Sequence, residues 1–211
     1  MGIAGISFGV SSNTINTPSP VLGVEEQFGT GLSTSYDYGP YSFWYDYNVW
    51  HGLYLVSEIG ASRKQITGFD AYLDNNGQTL MDGVILKMCH TTETTLPSTL
   101  KSDLSVSSGT FEFSDRITTL PLTDITITGT DDWKSFDFTT NFEYNGIDNV
   151  IITLENQGGD WETSGAKFRY TSVGSDKSWY LTQDNPGPSD YPNTPSLGTE
   201  TTNRPNIKLK Y

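Results

Sequence analysis

The two histidines and the single cysteine are the residues best suited to metal or nucleophile chemistry. His51 lies in an aromatic segment, and His90 follows Cys89 at the end of an apolar run. Successive residues of a strand point to opposite faces of its sheet, so Cys89 and His90 would form a poor chelating pair. We therefore interpret both histidines as structural and Cys89 as a small buried side chain. A single cysteine also excludes an intrachain disulfide.

Serine and carboxylate residues are numerous, but their number alone does not indicate a hydrolase. A Ser/His/Asp triad can be assembled on paper from any chain this rich in Ser and Asp. A glycosidase pair of carboxylates forms in space rather than in sequence, so it remains an alternative. We interpret four carboxylates as solvent-facing or strand-end residues, namely Glu58, Asp70, Glu112 and Glu155. The sequence therefore predicts a non-enzymatic protein with no catalytic residue.

Asp131 and Asp132 are adjacent in a predicted loop and are candidate oxygen ligands for a structural Ca²⁺. The Asp-x-Asp-x-Asp-Gly spacing of a helical calcium loop is missing, so a solvated acidic loop is the favoured interpretation. No other cofactor is predicted. The 25 acidic and 12 basic residues give a net charge of -13, which repels phosphate backbones. Nucleic acid is therefore not an expected partner.

The segment 36–50 is densely aromatic. Aromatic side chains stack on sugar rings and are enriched in protein interfaces, although one face of a strand normally enters the core. We predict that some residues of this segment are exposed and contact a glycan or a neighbouring subunit, with burial in the core as the alternative. The five candidates are Tyr41, Trp44, Tyr45, Tyr47 and Trp50. Trp161 and Tyr191, in or beside predicted loops, are further candidates.

The elements that must position these residues are predicted to be strands. Short runs rich in Val, Ile, Tyr, Phe and Trp alternate with Gly, Asn, Asp, Ser and Thr, which is typical of a many-stranded sandwich. We predict one antiparallel, jelly-roll-like β-sandwich over residues 31–211, preceded by an extended N-terminal arm over residues 1–30. Strands are expected near 53–59, 65–73, 82–90, 103–113, 122–128, 133–138, 149–155, 166–172, 178–182 and 205–210.

Five segments in order resemble the cleaved-adhesin, or gingipain-adhesin, module of Bacteroidetes surface proteins. They are Leu53-Tyr-Leu-Val-Ser-Glu-Ile-Gly60, Gln65-Ile-Thr-Gly-Phe-Asp-Ala-Tyr72, His90-Thr-Thr-Glu-Thr-Thr-Leu96, Phe142-Glu-Tyr-Asn-Gly-Ile-Asp-Asn-Val-Ile-Ile152 and Asn203-Arg-Pro-Asn-Ile-Lys-Leu209. The match covers about residues 29–211. The resemblance implies a β-sandwich with a binding or structural role.

The N-terminus departs from a secreted adhesin. Residues 1–10 lack the basic region and continuous apolar core of a signal peptide, and no apolar run approaches membrane-spanning length. We therefore predict a virion structural or decoration protein, a capsid auxiliary or fibre protein of a bacteriophage, without membrane insertion. Its expected partners are further copies of itself or other virion proteins, and a cell-surface glycan. The alternative is a carbohydrate-binding or adhesin module of an extracellular surface protein.

The N-terminal arm is predicted to be an assembly element, because Ile3, Ile6, Phe8 and Val10 are apolar while the Gly-rich spacing gives them no stable local structure. Burial against a neighbour contributes roughly 1.5–3 kcal/mol for each fully buried large side chain. We expect deletion of residues 2–12 to leave a folded domain that no longer assembles, as measured by sedimentation and circular dichroism. Unchanged assembly after the deletion would refute this role.

Overall fold

The computed structural model describes residues 23–76, 79–96, 117–159, 161, 166–184 and 198–211. Several predictions lie outside these residues and stay predictions. They concern the arm residues Ile3, Ile6, Phe8 and Val10, the strand at 103–113, the carboxylate Glu112 and the aromatic residue Tyr191.

The described chain forms two antiparallel sheets packed face to face, so the predicted all-β sandwich is confirmed. The seven-stranded sheet contains β1 (Glu25–Phe28), β2 (Ser33–Ser35), β4 (Lys64–Asn76), β7 (Thr130–Tyr144), β9 (Lys167–Ser172), β12 (Asn203–Pro205) and β13 (Ile207–Lys210). The six-stranded sheet contains β3 (Tyr47–Tyr54), β5 (Thr79–Thr91), β6 (Ile117–Ile127), β8 (Asn149–Asn156), β10 (Ser178–Gln183) and β11 (Thr199–Thr201).

The chain crosses repeatedly between the sheets, which is the jelly-roll-like part of the predicted architecture. The strand order is β1-β13-β4-β9-β12 in the larger sheet, with β7 along the other edge of β4 and β2 beside β9. The smaller sheet has the order β11-β10-β3-β8-β5-β6. Consecutive strands β4 and β5, β6 and β7, and β8 and β9 lie in different sheets. Loops therefore gather at the two ends of the sandwich.

The core between the sheets follows the two-residue alternation of its strands. In β3, Trp50 and Tyr54 enter the main core, whereas Val49 and Leu53 join a second apolar cluster with Trp179. The central strands β3 and β8 are therefore buried on both faces, and they bury polar residues as well as apolar ones.

The predicted strand over 53–59 is wrong after Tyr54. β3 ends there, and α1 (Val56–Ile59) forms a single helical turn. The Glu58 carboxylate accepts a hydrogen bond from Leu55 N at 2.9 Å, and Asn149 Oδ1 accepts one from Val56 N at 2.8 Å. These side chains accept hydrogen bonds from backbone amides at the start of the helical turn. The alternation of apolar residues in the sequence did not indicate these capping contacts.

Substitution of Phe69 tests how much the packing of the core contributes to stability. It is fully buried on β4 and stacks on Phe136 of β7, with ring centroids 4.8 Å apart. We expect Phe69→Ala to lower the free energy of unfolding by about 3–5 kcal/mol, because it removes buried area and leaves a cavity. Leu122→Ala, at a side chain 62% exposed, is the control and should change it by less than about 0.5 kcal/mol. Urea titration of both variants measures the difference, and equal effects would contradict this packing.

Candidate binding site

Two of the five tryptophans are exposed side by side. Trp44 and Trp161 are 53% and 55% exposed, and their ring centroids are 6.4 Å apart at an interplanar angle of 62°. Tyr36 also packs against Trp44, with ring centroids 5.3 Å apart. We call Tyr36, Trp44 and Trp161 the aromatic platform. Trp50 and Trp179 are fully buried, and Trp133 packs edge-on against Tyr72.

The other predicted contact residues of the aromatic segment divide between core and surface. Tyr41 and Trp50 are buried, so the structure does not place them on a contact surface. The Tyr41 hydroxyl donates to Asp82 Oδ1 at 2.8 Å, and Trp50 Nε1 donates to Ser178 Oγ at 2.7 Å. Tyr45 and Tyr47 are half-buried.

The loop between β2 and β3 presents Trp44 because its neighbours are anchored inside. Phe43 packs between Tyr41 and Phe168, with ring centroids 4.9 and 5.9 Å away. Ser42 N donates to Asn48 Oδ1 at 2.9 Å, which fixes the chain immediately before Trp44. The side chain of Trp44 is therefore turned outward by its local anchors.

Residues 157–159 follow β8, precede Trp161 and are held by close backbone packing. Gln157 N donates to Gly83 O at 2.9 Å, and Gly159 N donates to Asp46 O at 3.2 Å. A Cβ at Gly158 would lie 2.0 Å from the carboxylate of Asp82, so no larger residue fits there without movement. Gly159 has φ of 83°, a conformation that favours glycine. Residues 157–159 are thus tied to β5 and to the loop that carries Trp44.

The polar groups beside the platform include one cation and one carboxyl group. Lys167 Nζ lies 4.4 Å from the centroid of the Tyr36 ring, a cation–π contact. Partial burial raises the pKa of the Asp37 carboxyl above its ordinary value. Tyr38 packs edge-on against Tyr170 and Tyr180 at 5.1 and 5.9 Å.

A second cluster, around Arg204 of β12, joins two of the motifs that carry the resemblance. Arg204 is 4% exposed and donates two hydrogen bonds to the Glu58 carboxylate, at 2.6 and 3.0 Å, and one to Leu53 O at 2.8 Å. Its guanidinium also lies 4.3 Å from the centroid of the Tyr54 ring. Partial burial alone would raise the pKa of Glu58, but the Arg204 hydrogen bonds and charge hold it below its ordinary value. Arg204 and Glu58 are thus paired with each other, which indicates a structural role.

Asp70 and Glu155 form ion pairs with lysines, and Asp137 shares Lys210 with Asp70. Asp70 lies 3.3 Å from Lys210, and Glu155 lies 2.7 Å from Lys87. A pair of facing carboxylates, as a glycosidase needs, is not formed by Glu58, Asp70 and Glu155.

The histidines and the cysteine lie in the interior, as predicted for structural residues. His90 Nε2 accepts a hydrogen bond from Asn145 N at 3.1 Å, and its ring packs 4.6 Å from Phe142. His51 Nδ1 lies 2.9 Å from Thr153 Oγ1, and its ring stacks on Trp179 at 4.8 Å. Cys89 is buried.

Asp131 and Asp132 are exposed at the start of β7. Asp131 lies 3.9 Å from Arg169, and Asp132 Oδ1 accepts a hydrogen bond from Trp133 N at 2.7 Å. Within the described ranges, no three His, Cys, Asp or Glu residues are grouped as metal ligands. The alternative of a structural Ca²⁺ stays a prediction.

Gly5-Ile-Ser-Phe-Gly9 has the Gly-x-Ser-x-Gly spacing of a nucleophile elbow. An elbow also requires a turn from a strand into a helix, with a histidine in reach. These residues lie outside the described part of the chain, so the pattern assigns no role.

No protein-family model, curated protein or solved structure matches this chain. The resemblance to cleaved-adhesin modules therefore stays a prediction from its motifs. In the described ranges, no helix is long and apolar enough to cross a membrane.

The Glu58–Arg204 pair makes a testable contribution to stability. Because the pKa of Glu58 is lowered in the folded state, its contribution is complete above the ordinary pKa and is lost as pH falls through the lowered value. We expect Glu58→Gln to destabilise the domain by about 1–2 kcal/mol at pH 7, less than for a fully buried pair because the carboxylate is 31% exposed. The difference from the wild type should shrink below about pH 4.

The matched control is Glu25→Gln, because Glu25 is half-exposed and lies 3.5 Å from Lys208. Such a surface pair should contribute less than about 0.5 kcal/mol. Urea titrations of both variants between pH 3 and 7 give the comparison. A Glu58 effect that is independent of pH would contradict the ion-pair explanation.

Proposed function

We propose that this protein is a non-enzymatic β-sandwich module that binds a glycan on its aromatic platform. The observation that carries the proposal is the exposure of two neighbouring indoles, Trp44 and Trp161, whose ring centroids are 6.4 Å apart. The C–H bonds on the face of a sugar ring carry partial positive charge, and they meet the negative face of an aromatic ring favourably. Because the two indole rings are inclined at 62° to each other, each ring can stack on a different part of the same ligand.

The anchoring supports binding rather than incidental exposure. Large apolar side chains on a solvated monomer are usually buried or scattered singly, and a contiguous exposed group indicates a contact site. Phe43 and Asn48 hold the chain beside Trp44, so little conformational freedom is lost there when a ligand binds. Gly158, three residues before Trp161, is also closely packed.

The setting favoured by the sequence is the surface of a virion, where the module would serve as a decoration or fibre protein. An extracellular bacterial surface protein is the alternative setting. Both need a recognition module with no catalytic step, and the pairing of Glu58, Asp70 and Glu155 with cations supports that view.

Trp44→Ala and Trp161→Ala test the proposal. Each removes one exposed face while leaving the core intact, so we expect each to weaken glycan binding by at least about ten-fold with little change in thermal stability. A panel of neutral and acidic oligosaccharides should be titrated against the wild type and followed by tryptophan fluorescence. Ile147→Ala is the control, since Ile147 is 72% exposed in the turn between β7 and β8.

Two outcomes would overturn the proposal. One is a panel in which no oligosaccharide binds or in which the tryptophan variants bind as the wild type does. The other is a wild type that self-associates through the platform, seen as dimer dissociation in Trp44→Ala during sedimentation. That second outcome would assign the platform to subunit contact.

A further inference from the structure

We propose that the platform prefers acidic glycans and that Lys167 is the residue that sets this preference. The inference rests on the glycan-binding function proposed above and names the class of sugar. A uronic acid ring has the same apolar C–H face as a neutral hexose, but its carbon-6 carboxylate adds one negative charge. The ammonium of Lys167 provides the complementary charge at the Tyr36 side of the platform.

Lys167 differs from nearly all the other described cations in its lack of an acidic or carbonyl partner. Six of the ten described Lys and Arg residues form ion pairs, namely Lys64, Lys87, Arg169, Arg204, Lys208 and Lys210. Lys134 and Lys177 donate to backbone carbonyl groups. Among the described residues, this leaves only Lys167 and Arg63 without a carboxylate or carbonyl partner.

The lack of a partner is informative because acidic residues outnumber basic ones, 25 to 12. Asp74 lies opposite Lys167 in the β4–β9 register, yet its carboxylate is taken by Arg169 at 2.7 Å. The ammonium of Lys167 instead lies over the Tyr36 ring, beside the exposed indoles. A cation held beside an aromatic surface and not neutralised by the described carboxylates can take an anionic group of a ligand.

The geometry assigns separate roles to the platform residues. Lys167 covers one face of Tyr36, so the sugar ring would stack on Trp44 and Trp161. Its carboxylate would be directed towards the Tyr36 end, within reach of the flexible lysine stem. Stacking then supplies affinity for any sugar, and the ammonium supplies the preference for an acid.

The net charge of -13 opposes every anionic ligand, so a preference for acids requires a local cation. Trp161 is also flanked in sequence by Asp160 and Glu162, which lie outside the described residues. If their carboxylates neutralise Lys167, the wild type will not prefer acidic sugars. The experiment therefore begins with the unmodified chain.

The probes are oligomers of galactose and of galacturonic acid, which differ only at carbon 6 of each ring. We expect the wild type to bind the acidic oligomer about three- to five-fold more tightly, the effect of one partly exposed charge-assisted contact. Lys167→Gln should abolish this preference and leave the affinity for neutral galactose oligomers within about two-fold. Lys167→Arg should keep the preference, since it retains the charge.

Arg63→Gln is the matched control, because it removes the other cation without a described partner. Arg63 lies far from Lys167. Arg63 immediately precedes Lys64, the first residue of β4, whereas Lys167 pairs with Asp74 of the same strand. Ten residues separate Lys64 from Asp74, which corresponds to about 33 Å of strand. This variant should bind both oligomers as the wild type does.

The outcomes separate this inference from the function on which it rests. Equal binding of the two oligomers by the wild type, or a preference that survives in Lys167→Gln, would overturn the role of Lys167 and leave glycan binding in place. Failure of both oligomers and of the wider panel to bind would overturn both.

Discussion

The ion pair between buried Arg204 and partly exposed Glu58 joins the two sheets at the end of β3. Arg204 belongs to β12 of the larger sheet, while Leu53 O, which accepts one of its hydrogen bonds, belongs to β3 of the smaller sheet. Glu58 also caps α1 through Leu55 N. A buried guanidinium without its carboxylate is strongly unfavourable, so the turn of α1 and the end of β3 are constrained together.

The same ion pair explains where local sequence patterns succeed and fail. The predicted strand over 149–155 matches β8, whose Val-Ile-Ile run is a local signal. The predicted strand over 53–59 overlaps β3 only at Leu53 and Tyr54. Its continuation through Ile59 was wrong, since the helical turn there is held by a partner 146 residues away. Glu58 stands in a largely apolar motif, but nothing in Asn203-Arg-Pro-Asn206 indicated that Arg204 is its partner.

The residues of the candidate binding site divide in a similar way between those that local sequence patterns located and those that they missed. Density of aromatic residues located the segment around Trp44, but no local pattern separated exposed Trp44 from buried Tyr41. That separation is made by Asp82, 41 residues along the chain, and by Phe168, which hold Tyr41 and Phe43 inside. Lys167 had no sequence signal, because its position beside Tyr36 follows from the pairing of β2 with β9.

Residues 23 and 211 meet through backbone hydrogen bonds, Gly23 N to Tyr211 O at 2.5 Å and Tyr211 N to Val24 O at 3.0 Å. Val24 and Tyr211 lie with Lys64 at the start of β4, whereas Lys167, beside the platform, pairs with Asp74 near the other end of that strand. A surface or carrier attached at residue 23 or 211 would therefore be separated from the exposed indoles by most of the length of β4.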